Sequence, residues 1–302
     1  MASVESKEEA AASGTAKLWL ALTPVFFVVL WSTGFIGAKL GLPDATPLFF
    51  LTLRYVAAAA LLLAWMLLRR EAWPRGWRVY LDLALVGTLL HTFYLGGVFV
   101  AIDRGLEAGT SALIVSLQPL LVAALAGVFL GERVRPIQWL GLVLGLAGVA
   151  LVVFRKAGFG EDGLVPVLFC AGSLLAITLA VLYQKLRLTA VPLVAGSTLQ
   201  FVFAAISGAI ITLIFEPDAH IVWSEDFIIA FVWLVVVLSI GAIGLFLYLV
   251  RQGAASRVSS LFFLVPPVTA LIAWPLFGEQ LGVVELIGMA VAGLGVALVN
   301  RA

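Results

Sequence analysis

Long apolar runs alternate with short polar breaks along nearly the whole chain. The runs lie at 18–38, 46–68, 79–101, 108–130, 136–154, 164–184, 191–214, 227–249, 256–277 and 283–300. Each is of a length that crosses about 30 Å of hydrocarbon as a helix. Pro, Gly or charge marks most of the breaks, as in Leu42-Pro43-Asp44, Trp73-Pro74-Arg75-Gly76 and Gly158-Phe159-Gly160-Glu161-Asp162. The longest exposed linker expected is the acidic stretch Glu216–Asp226. Residues 1–17 are polar, acidic and alanine-rich, and they lack the basic start and cleavage site of a signal peptide. They read as a disordered cytoplasmic tail. The pattern predicts ten membrane-spanning helices and leaves no room for a soluble domain.

Part of this pattern is used twice. Residues 104–152 and 251–299 align at a constant spacing of 147, with Arg104 on Arg251, Pro119 on Pro266 and Gly131-Glu132 on Gly278-Glu279. The ends Gly148–Val152 and Gly295–Val299 are identical. The repeating unit therefore has five spans: 18–154 first, a linker at 155–163, then 164–302. An odd number of spans used in tandem crosses the membrane in opposite senses. The expected fold is an all-α membrane protein of ten transmembrane helices, built as two inverted five-helix repeats. Such repeats suit a transporter, because the halves can exchange conformations around a midplane site.

Composition and charge narrow the class. Hydrophobic residues make up 63% of the chain and charged residues 12%, against about 45–50% and about 25% in soluble domains. A net charge of +1 without an arginine-rich stretch gives no case for nucleic acid. The single Cys170 cannot form a disulfide within the chain, and it makes no metal site with two distant histidines. No phosphate-binding loop of the G-x-x-x-x-G-K-[ST] type occurs, and no cofactor is implied. Thirteen lysines and arginines fall on one alternating set of segments and four on the other, with Arg54 alone inside a span. That bias places both termini in the cytoplasm.

The candidate chemistry is sparse and mostly uncharged. Pro119 and Pro266 sit inside the spans at 108–130 and 256–277. An interior proline removes a donor, so the carbonyls of Val115 and Phe262, and of Phe263 through Pro267, are expected to be freed. They would accept hydrogen bonds from a substrate ammonium, or simply mark packing kinks. His91 and Tyr94 share a face in mid-span, where polar side chains line cavities or bond a neighbouring helix. Trp233, Val237, Gly241, Gly244 and Tyr248 form a stripe that would make a slot for a flat ligand. For Tyr248 an interfacial belt is the stronger reading. Trp31, Ser32, Phe35, Gln118, Ser173, Thr178 and Gln200 are further aromatic or uncharged polar candidates, several of them ordinary interhelical bonds. Arg54 could attract a substrate carboxylate, but it is read mainly as structural, snorkelling outward or orienting its helix. Gly141-xxx-Gly145 and Gly288-xxx-Ala292 read as close helix packing. No Asp or Glu falls near the middle of a span. Asp82, Glu132, Glu279 and Glu285 lie at span ends, the two repeat glutamates at opposite membrane surfaces. This argues against strict proton antiport of organic cations and towards a neutral or zwitterionic solute. An intramembrane enzyme would need a Ser/His/Asp set or paired aspartates at depth, which His91 alone does not supply; a purely structural role leaves the inverted repeats unexplained.

Trp31-Ser-Thr-Gly-Phe35 with Lys39, Arg54, Pro119 before Leu130-Gly131-Glu132, and Pro266 before Phe277-Gly278-Glu279 together resemble the drug/metabolite transporter superfamily. The chain is similar to its ten-helix EamA-type exporters over residues 18–300, and among these to the bacterial aromatic amino-acid exporters. One departure is that Ala176-Ile-Thr178 stands where a second Trp motif would fall. The resemblance implies a multi-pass bacterial inner (plasma) membrane exporter and not an enzyme. Its cargo would be small amphipathic metabolites, aromatic amino acids first, moved by alternating access through a central cavity without obligatory ion coupling. The alternative is a broad-specificity drug or metabolite exporter coupled to protons. The expected partners are the small-molecule substrate and the lipid bilayer; the oligomeric state stays open.

Overall fold

The computed structural model describes residues 23, 25–129, 135–156, 164–242, 245, 262, 264–279 and 282–301. The 1–17 tail, Gly131-Glu132, Gly244, Tyr248, Phe263 and most of the 155–163 linker lie outside the described residues. The helices are α1 (Val25–Asp44), α2 (Pro47–Leu68), α3 (Trp77–Asp103), α4 (Ala108–Val115), α5 (Gln118–Phe129), α6 (Pro136–Lys156), α7 (Val165–Arg187), α8 (Leu193–Phe215), α9 (Glu225–Ala242), α10 (Val265–Phe277) and α11 (Val283–Arg301). Six of them, α1, α2, α3, α7, α8 and α9, are long and apolar enough to cross a membrane, and the others carry shorter apolar stretches. Large apolar side chains such as Leu68, Leu168, Leu213 and Leu294 face outward. A surface of this kind is stable only in lipid. The chain is a multi-pass membrane protein.

The span expected at 108–130 is not one helix. It breaks after Val115, and after Ser116 and Leu117 a new helix, α5, starts at Gln118. The Leu117 N–H reaches the Ile114 carbonyl (3.2 Å), and Leu117 in turn accepts from the Leu120 and Leu121 N–H groups (3.0 and 3.1 Å). Pro119 therefore occupies the first turn of a new helix. Pro266 and Pro267 occupy the first turn of α10, which begins at Val265, 147 residues after Gln118. A first-turn residue has no intrahelical partner for its N–H, so proline costs little there. This corrects the expected interior kinks. The Phe262 carbonyl is not freed either, since it accepts the Val265 N–H at 3.3 Å.

The repeated glycine stripes meet each other. A Cβ on Gly148 would lie 2.5 Å from both the Gly288 carbonyl oxygen and the Ala292 nitrogen, and Gly295 sits equally tight against Gly141 and Gly145. Gly288 and Gly295 are the counterparts of Gly141 and Gly148. As numbering rises along α6 it falls along α11, so the two copies cross antiparallel, backbone against backbone. Only residues without a side chain permit that approach.

The ends of the bundle are tied by carboxylates. Glu216 accepts the N–H groups of Leu48 and Phe49 (2.9 and 3.0 Å) and caps α2 from the linker after α8. That linker also pairs with α1's end through Val222 N–H to Asp44 O (2.7 Å) and an Ala45–Ile221 bridge. The acidic linker is thus partly docked rather than freely exposed.

Candidate functional site

Four helices bring a polar and aromatic cluster together inside the bundle. α2 supplies Arg54 and Tyr55, α3 supplies His91 and Tyr94, α8 supplies Phe201, and α9 supplies Ser239. All six are buried. The His91 ring stacks on Phe201 at 4.2 Å between centroids, with Tyr55 at 5.8 Å. The Tyr55 hydroxyl donates to the His91 carbonyl (2.7 Å).

The cluster lies where two helices are locally overwide. α3 is π-helical over Thr88–Phe93 and α9 over Trp233–Ala242. Such turns are rare and concentrate at functional sites, because the added residue re-aims its neighbours. Hydroxyls hold the α3 turn in place: Thr92 bonds Ser207 (2.7 Å), and Thr88 donates to the same oxygen (3.3 Å). Gly87, just before the turn, abuts the backbone of Gln200, where a Cβ would come within 2.5 Å of its carbonyl oxygen. The π turn in α9 also means that Trp233, Val237 and Gly241 do not form the expected α-helical stripe.

Arg54 is the structure's largest departure from its expected role. It does not snorkel: only 6% of it is exposed. Its Nε donates to Ser239 Oγ at 3.2 Å, and the Ser239 hydroxyl donates to the Leu234 carbonyl (3.0 Å). Among the described residues it forms no ion pair. The Tyr55 and Tyr94 phenols and the His91 ring lie within electrostatic reach of the guanidinium.

A second feature lies at the helix breaks. Leu113 and Ser116, before the α5 start, face Pro266, Pro267, Met289 and Gly293 across a cavity of about 250 Å³. Close by, Trp31 and Phe27 of α1 pack on Phe262 (5.2 and 5.6 Å), and Ser32 Oγ lies 3.3 Å from the Val265 carbonyl oxygen. Pro266 lines this cavity; Pro119 does not.

The remaining candidates scatter. Ser173 and Thr178 donate to the carbonyls of Phe169 (3.0 Å) and Leu174 (2.6 Å) one turn back, and neither joins the cluster. Ser173 also packs on Gly97. Phe35 is in the hydrophobic core. Trp233 is 39% exposed, with its indole N–H donating to Thr33 Oγ1 at 2.9 Å. Gln200 is buried beside the α3 turn, and Gln118 is half-buried at the start of α5.

Glu279, expected at the outer end of its span, lies just past the last residue of α10 and is buried, only 7% of it exposed. Its carboxylate accepts from Lys39 Nζ (2.6 Å) and from the Ala108 and Gly109 N–H groups (2.8 and 3.2 Å). It therefore caps α4 and ties it to α1 and α10. Sequence missed this because a glutamate after a helix-ending glycine resembles any solvated loop residue.

Comparison with known proteins agrees with this architecture. The profile of the EamA-like transporter family matches residues 17–154 and again 164–301. The transporter YvbV of Bacillus subtilis is 30% identical over 292 residues, covering 93% of this chain and 91% of its own. The aromatic amino acid exporter YddG of Ancylobacter novellus is 32% identical over 264 residues, covering 81% and 84%. A solved crystal structure overlaps with a TM-score of 0.65 over 92% of this chain and 96% of its own, at 20% identity, which shows a shared fold.

Proposed function

From the premise that the chain belongs to the EamA-like transporter family, we propose that it exports small amphipathic metabolites, aromatic amino acids first among them. Two inverted five-helix repeats, ten spans in all with both termini cytoplasmic, would alternate access to the cluster between α2, α3, α8 and α9. The observation that carries this reading is the buried His91–Phe201 stack beside Tyr55 and Tyr94, held by π-helical turns. Flat rings bind well between aromatic faces, and a few placed polar groups orient the zwitterionic end. The exporter YddG supports the same substrate class at 32% identity. Buried carboxylates among the described residues, Asp82, Glu279 and Glu285, stand at span ends. None is placed in mid-membrane to exchange a proton for a cationic drug, which favours movement without obligatory proton coupling.

The test is purified protein in liposomes with labelled tryptophan, phenylalanine and a cationic dye, with and without a pH gradient. Saturable aromatic amino-acid flux in both conditions is expected. Dye flux alone would overturn the substrate reading, and flux that vanishes without the gradient would overturn the uncoupled one.

A further inference from the structure

We infer that Arg54 is the anchor for a carboxylate on the transported solute, and so the residue that selects acids over amines and amides. This rests on the proposed site, and deepens it by naming the group that the site must bind.

A guanidinium inside a membrane protein is costly unless an anion offsets it. Arg54 is buried in a helix apolar enough to cross the membrane, yet its one hydrogen bond among the described residues is to a neutral serine hydroxyl. Glu279 shows what this chain does with a structural buried charge: it supplies a counter-ion and two backbone donors. Arg54 receives nothing comparable among the described residues. The geometry is also oriented. Ser239 spends its proton on Leu234, so its oxygen can only accept from Nε. That bond holds the guanidinium by one nitrogen and leaves both Nη groups without a bonded partner among the described residues. Two parallel Nη–H donors match the two oxygens of a carboxylate.

The position adds a second, independent argument. Arg54 and Tyr55 are consecutive on α2, and each contacts a different π-helical turn: Arg54 meets Ser239 in α9, and Tyr55 meets the His91 carbonyl in α3. One residue pair thus connects both irregular segments. A ring on the His91–Phe201 side and a carboxylate on Arg54 would be bound by adjacent residues of one helix.

The test compares ligands that differ only at the acid. In liposomes, unlabelled tryptophan, indole-3-propionate, tryptophanamide and tryptamine compete with labelled tryptophan. For the wild type the two acids are expected to compete and the amide and amine not to. In Arg54→Gln the acid preference should fall on the order of 10- to 100-fold, the range for a lost charge-assisted bond. Arg54→Lys keeps the charge without the fork and should lie between. An amide that competes as well as the acid in the wild type overturns the inference. So does an acid preference unchanged in both variants. Should Arg54→Gln not fold, the wild type against Arg54→Lys carries the same test.

A parallel measurement separates this from the cargo reading. Thermal stabilisation of the detergent-solubilised protein by aromatic and aliphatic carboxylates is read in the wild type and in the variants. Carboxylate stabilisation that needs Arg54, without any aromatic amino-acid flux, supports the anchor and overturns the cargo. Aromatic flux with stabilisation that ignores Arg54 does the reverse.

Discussion

Glu279 and Arg54 are both charges buried in this protein, and they are treated in opposite ways. Glu279 sits at a span end with Lys39 at 2.6 Å and two N–H groups of α4 on its oxygens. Arg54 sits within a span with a neutral Ser239 oxygen at 3.2 Å and no carboxylate among the described residues. A buried ion whose bonds are all made by the protein is structural; its removal leaves Lys39 and a helix terminus unpaired. A buried ion whose bonds are unfinished stores a cost that something else must offset. Natural proteins keep such groups where function requires them, at the expense of stability.

The comparison yields stability changes of opposite sign, read as thermal melts in detergent. Glu279→Ala should have the largest effect, a loss of about 3–5 kcal/mol, because it strands a cation and uncaps α4 in a setting with little water. Lys39→Met in that background should add little, since the pair is already broken. Arg54→Met should act the other way and raise stability by on the order of 1 kcal/mol or more without ligand, because it removes a charge with no counter-ion among the described residues. A large loss there would place Arg54 with Glu279 as a structural ion. Tyr55→Phe removes one buried hydrogen bond to the His91 carbonyl and should cost about 1 kcal/mol. It should also alter transport, since that bond braces the α3 turn. Trp233→Phe should have the smallest effect, within about 0.5 kcal/mol, because its partner Thr33 is bonded at an exposed position. A marked loss of transport in Trp233→Phe would return that residue to the site.

Much of the outline was legible in the residues. Long apolar runs can only be membrane helices, and a proline in register 147 residues from another marks a duplicated break. His91 and Tyr94 stood out because polar side chains are rare in apolar runs, and they do lie together in the cluster. Ser173 and Thr178 stood out for the same reason, but their hydroxyls bond their own helices. Sequence cannot separate these cases, because a hydroxyl satisfied one turn back looks identical to one facing a cavity.

The residues alone determined the class: the apolar excess requires lipid, and the periodic breaks divide it into helices. They also determined that two glycine stripes exist. Tertiary structure decided that those stripes face each other antiparallel, because only packing can bring Gly148 and Gly288, or Gly295 and Gly141, far apart in the chain, into backbone contact. It decided that Glu279 is buried and Arg54 does not snorkel, since burial depends on which helices surround a side chain. It placed the π-helical turn of α3 too, because Ser207, which bonds Thr88 and Thr92, comes from α8, far off in the chain. A charge's meaning here lay in its partners, and partners across a bundle are set by the fold.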